Sequence, residues 1–145
     1  MKSISFLAQY EAERLHPKKF KNAAIISITS PGNGVYLDEH WNHLLAVEFD
    51  DIVAEKKGYR LFDKVMALQI LNFVEDVNRD DLTLIVHCWA GVSRSRAVAK
   101  AISEIYRCCE SKYRKITTYN ELVYNTLIEL YRVKNIEKEL LVNAE

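Results

Sequence analysis

Glycine and proline are scarce in this 145-residue chain, which has four of the first and two of the second. So little punctuation leaves no flexible linker and no low-complexity segment. No internal repeat stands out either, and residues 1–145 are expected to form a single domain. Cysteine is scarce too. The three present are Cys88, Cys108 and Cys109. That odd number has no framework spacing, and adjacent cysteines are poorly placed to bridge each other, so a disulfide scaffold is excluded and a reducing compartment is indicated. No apolar run approaches the roughly 18–20 residues of a membrane span. Residues 1–6 lack the apolar stretch of a signal peptide. An excess of one charge is missing as well: 20 basic residues balance 20 acidic ones. Neither nucleic acid nor a membrane surface is therefore expected as a partner. His16, His40 and His43 show no ligand spacing, so no metal or cofactor is expected. The natural location is cytoplasmic, and oligomeric state leaves no trace in the sequence.

Hydrophobic residues make up 49% of the chain, enough for a core. Segments 23–28 (AAIISI), 43–49 (HLLAVEF) and 82–86 (LTLIV) are short, apolar and flanked by polar residues, the pattern of buried strands. Segment 4–8 is a candidate fourth. Helical periodicity marks 61–77, 93–108 and 119–133. Turn residues cluster at Pro31-Gly32-Asn33-Gly34 and at Asn78-Arg79-Asp80-Asp81. Strands alternating with helices imply a three-layer α/β fold. Its central sheet is expected to be mostly parallel, with about four or five strands flanked by helices.

The chemistry concentrates in His87-Cys88-Trp89-Ala90-Gly91-Val92-Ser93-Arg94-Ser95, which joins the end of a buried strand to the start of a helix. Ligands bind beyond the carboxyl ends of strands in such sheets. A helix N-terminus also presents unpaired N–H groups and partial positive charge. The amides of Trp89, Ala90, Gly91, Val92, Ser93 and Arg94 can therefore curl around a tetrahedral oxyanion such as phosphate. Gly91 supplies backbone freedom, and Arg94 a planar fork for two phosphate oxygens. An arginine at a helix start is disfavoured by the dipole, so an anionic partner is its better explanation. Thiols in such surroundings ionise more readily than free cysteine, which suits Cys88 to nucleophilic attack. Ser95 is placed to hydrogen-bond the sulfur, and His87 to order the loop rather than touch substrate.

HCWAGVSRS resembles the signature loop of the cysteine-based protein tyrosine and dual-specificity phosphatases. The short chain is similar to the compact dual-specificity type and to small bacterial tyrosine-phosphatase-like proteins. The resemblance implies phosphomonoester hydrolysis through a phosphocysteine on Cys88, without a cofactor, on a phosphorylated protein or a small phosphomonoester. It also implies an aspartate on an upstream loop that protonates the leaving oxygen and then activates water. Small bacterial relatives carry Phe-x-Asp-Ile there, which maps the acid onto Asp51 of Phe49-Asp50-Asp51-Ile52, with Asp50 the alternate. Asp38 is too far upstream, and Asp63 and Asp76 fall in the next helix.

Several residues have a second, plainer reading. An aspartate in a loop is most often a turn residue or cap. Trp89 is expected to point outward, to flank substrate or to pack on a neighbour. Lys56, Lys57 and Arg60 are either an attractor for acidic substrates or a solvated run. Asn120 caps the last helix or supports the phosphate loop. Cys108 and Cys109, on the same helix as Arg94 and roughly 20 Å along it, are too distant to resolve an oxidised Cys88. Two further functions remain open: a phosphate-binding pseudophosphatase, and rhodanese- or arsenate-reductase-like cysteine chemistry. No basic residue occupies the loop's variable positions, which favours a monophosphate over a phosphoinositide or RNA triphosphate.

Overall fold

The apolar segments pair side by side in one direction, which requires crossover connections rather than tight hairpins between them. The computed structural model describes residues 1–144. Its sheet has four parallel strands, β1 (Ser3–Ala8), β2 (Ala23–Thr29), β3 (Leu44–Glu48) and β4 (Thr83–Cys88), in the order β1-β4-β2-β3. The helices are α1 (Gln9–Glu13), α2 (Lys64–Val77), α3 (Arg94–Tyr106), α4 (Glu110–Tyr113) and α5 (Glu121–Ala144). The expected three-layer α/β architecture is present.

The layers are unequal. Leu84, Val86 and Cys88 of β4 join the large core beneath α2, α3 and α5. Ile85, on the opposite face, packs with Ile25, Ala12 and Trp41 in a small core under α1 and the segment before β3. Because successive strand residues alternate faces, Cys88 lies on the thick side. His87 lies on the thin side with its register partner Ser27.

Some boundaries differ from the periodicity. Segment 43–49 is not a buried strand throughout: β3 is an edge strand that buries Val47 and leaves Leu44 exposed. Asp63 is not inside a helix. It caps α2 by accepting from the Met66 amide at 2.9 Å, the favoured role of aspartate at that position. Helix α3 stops at Tyr106 because Arg107 turns left-handed, with φ 54°. Cys108 and Cys109 therefore lie beyond that helix rather than on it. In the other direction α5 runs well past residue 133, held to α2 by Lys134 and Lys138, which both reach Glu75. Among the described residues no helix is long and apolar enough to cross a membrane.

Candidate active site

β4 is central, and its last residue is Cys88. The thiol is buried. Its Sγ accepts from the Gly91 amide at 3.3 Å and lies 3.1 Å from the Ser95 hydroxyl. Residues 89–93 form the turn that leads into α3. Among the described residues, the amides of Ala90, Val92, Ser93 and Arg94 donate to no protein acceptor. These are the unpaired donors of a helix start, gathered on one short loop.

The loop is braced from three sides. From β1 and α1, the Gln9 amide donates to the Trp89 carbonyl at 3.1 Å. Gly91 has φ 71° and sits against the β1 backbone so closely that a Cβ would meet the Ala8 nitrogen at 2.6 Å. From β2, the Ser27 hydroxyl lies 2.6 Å from His87 Nε2. From α5, the Asn120 amide donates to the Ser93 carbonyl at 3.2 Å.

Arg94 is buried, with one guanidinium nitrogen fixed at 3.0 Å from the Ser30 hydroxyl and 2.7 Å from the Phe49 carbonyl. Those two anchors spend one end of the fork and hold its plane. Arg94 then lines an open cleft of about 480 Å³ with Ser30, Gly32, Asn33, Gly34 and Trp89. Trp89 is 67% exposed.

The two candidate acids separate clearly. Asp50 turns back on its own loop and accepts the Arg60 amide at 2.7 Å. Asp51 reaches the Cys88 loop: its Oδ1 accepts from Ser93 Oγ at 2.8 Å and from Asn120 Nδ2 at 2.9 Å. Asn120 also donates to the Ile52 carbonyl and accepts from the Val123 amide, so one buried side chain ties the Asp51 loop to the start of α5. Asp38 is occupied elsewhere. The His40 amide, the His40 ring and the His16 ring hold its carboxyl down to about 2.

The chain is similar to the human tyrosine phosphatase-like serine/threonine/tyrosine-interacting protein, with TM-score 0.62 and 17% identity over 89% of this chain and 91% of that one. It is similar to human DUSP28, with TM-score 0.57 and 15% identity over 90% and 94%. It is also similar to Tk-PTP in the active form, with TM-score 0.57 and 19% identity over 90% and 91%. The fold is that of the tyrosine- and dual-specificity-phosphatase-like structures. No protein-family model and no curated protein matches the sequence.

Within this phosphatase-like fold, sequence reasoning missed four contributors. Ser30 and the Phe49 carbonyl fix Arg94, Ser27 partners His87, and the Gly32–Gly34 turn walls the cleft. The turn was legible only as a turn. Its place directly after β2 was the available signal, since parallel strands end where ligands bind. Lys56, Lys57 and Arg60 do not line the cleft, and Lys56 lies 4.5 Å from the Tyr59 ring centroid. Cys108 is buried beyond the end of α3. Burial and its neighbour Cys109, 3.7 Å away, push it up to about 11.

His87 gives a pH prediction. Burial is the main force that lowers its pKa below the ordinary 6.5, with Arg94 adding to it and the Cys88 carbonyl and Glu13 opposing. The fold therefore binds the neutral ring, whereas the unfolded chain takes up a proton near 6.5. Stability is full above that pH and falls as the pH drops below it. Urea midpoints measured from pH 7.5 down to pH 5 are expected to fall more steeply for the wild type than for His87→Asn. Parallel curves for the two proteins would contradict the assignment.

Proposed function

We propose that the chain hydrolyses phosphomonoesters through a covalent phosphocysteine. Cys88 Sγ attacks phosphorus as the bond to the leaving oxygen breaks, and Asp51 delivers its proton to that oxygen. The loop amides and Arg94 hold the three equatorial oxygens, where charge gathers in the transition state. Water then attacks phosphorus and gives its proton to Asp51. The P–S bond breaks, and the Ser95 hydroxyl stabilises the departing thiolate. Ser93 and Asn120 act as positioning residues that keep Asp51 over the loop, and His87 and Ser27 hold the loop's first peptide.

The observation that carries this reading is the convergence on one short loop of a buried thiol, unpaired amides, an anchored arginine and the Asp51 carboxylate. It is tested with an aryl phosphate, by rapid acid quench and mass analysis for phosphate on Cys88. Enzyme that turns over without a trappable phosphoryl group on that cysteine contradicts the mechanism.

The choice of acid is tested by comparing Asp51→Asn with Asp50→Asn. Loss of a positioned general acid lowers turnover by roughly 100- to 10,000-fold, and the acidic limb of the pH–rate profile should change with it. That result is expected for Asp51→Asn alone. A larger loss in Asp50→Asn would reverse the assignment.

A further inference from the structure

Trp89 borders two hollows. One is the cleft that Arg94 lines. The other is a depression of about 340 Å³ lined by Ala8, Tyr10, Glu13, Trp89 and Ala90. Its walls are two methyl groups and two aromatic rings, with a single charge from Glu13. Tyr10 is 63% exposed and stands on the first turn of α1. The Arg14 guanidinium lies 5.9 Å from its ring centroid, a distance at which a cation steadies a ring. The start of α1 is bonded to both sides of the cleft: the Gln9 amide donates to the Trp89 carbonyl, and the Gln9 side chain donates to the Gly34 carbonyl at 3.0 Å. Glu13 is fixed as well, accepting the Tyr36 amide at 3.0 Å.

Exposed Trp and Tyr side by side are the residues that most often anchor a bound side chain. Here they adjoin a cleft whose lining holds one cation, Arg94. We infer that this hollow is a substrate subsite that takes a large apolar or aromatic side chain flanking the phosphorylated residue of a peptide. The inference rests on the phosphomonoesterase reading. Two neighbouring pockets sharing one wall suit adjacent residues of an extended chain, which advances about 3.3–3.6 Å per residue. The Glu13 carboxylate disfavours an acidic residue in the hollow, and equally an inositol polyphosphate or its lipid, by like-charge repulsion.

The test compares kcat/KM for phosphotyrosyl peptides that differ only in flanking Phe, Ala or Glu, with an aryl phosphate and an inositol polyphosphate alongside. The enzymes are wild type, Tyr10→Ala and Glu13→Gln. Wild type should prefer Phe over Ala by about two- to twelvefold, the range an aromatic pair contributes, with Glu poorest. Tyr10→Ala should bring the Phe-to-Ala ratio to near one with aryl phosphate turnover unchanged. Glu13→Gln should selectively improve the Glu peptide. An intact preference in Tyr10→Ala overturns the subsite. So does a wild type that turns over aryl phosphate but ignores the flanking residue, or that prefers the inositol polyphosphate. An enzyme that hydrolyses no phosphoester at all overturns the proposed function itself.

Discussion

Serine in place of Cys88 is expected to remove at least about four orders of magnitude from aryl phosphate turnover, as loss of an attacking group does in other covalent enzymes. Phosphate binding should survive. The hydroxyl is smaller than the thiol and stays protonated at neutral pH, so it is a poor nucleophile at phosphorus. It still accepts from the Gly91 amide and still faces the Ser95 hydroxyl. Neither the unpaired amides nor the anchors on Arg94 depend on the sulfur. Steady-state rates on an aryl phosphate, with calorimetric titration of phosphate, separate the two properties. Turnover within about tenfold of wild type would take Cys88 out of the mechanism. Retained turnover cannot be blamed on misfolding, so the outcome is decisive in that direction.

Replacement of Gly91 by alanine should damage both stability and activity. Its φ of 71° is a left-handed conformation that side chains resist, which costs about 1 kcal/mol. The second penalty is steric. The added methyl would lie 2.6 Å from the Ala8 nitrogen and 2.7 Å from the Leu7 carbonyl carbon, both backbone atoms of a paired strand. Overpacking against atoms that cannot swing aside adds about 1–3 kcal/mol. Together these predict a fall in Tm of roughly 5–15 °C for a domain of this size. A loop pushed aside by about 1 Å also loses about 100-fold in rate. Gly58 is the matched control. It too has positive φ, 86°, but nothing lies within 4 Å of a Cβ there, so Gly58→Ala should show only the smaller conformational penalty. Melting curves and rates that agree between the two variants would show that the close approach to β1 is unimportant.

The Cys88 loop was legible in the sequence because its parts are contiguous: strand, thiol, glycine, arginine and helix follow one another from residue 82. The sheet was legible because its strands are short and apolar. What surrounds the loop was not, because strand order brings it in from afar. Arg94 meets Ser30 across 64 positions and the Phe49 carbonyl across 45, and His87 meets Ser27 across 60. Asp51 was reachable only through resemblance, since no local pattern marks an aspartate that will bond to Ser93 and Asn120. Helix ends failed for local reasons. Arg107 and Cys109 are left-handed without being glycine, so the usual stop signal is missing after α3. The far half of α5 keeps apolar residues at helical spacing, Val133, Ile136 and Leu140, but they are exposed rather than packed, and its anchors to α2 are Lys134 and Lys138.

The pairing of β1 with β4 spans 80 residues from Ser3 to Thr83. Loop closure over such a separation is an entropic barrier that local helices do not face, and nonlocal strand pairing slows folding. The seat for Gly91 is the backbone of Leu7 and Ala8. The Cys88 loop therefore takes its shape only once one of the least local contacts in the sheet has formed. Helices and apolar collapse can precede that contact, so a newly made chain has no finished Cys88 loop until β1 has paired with β4.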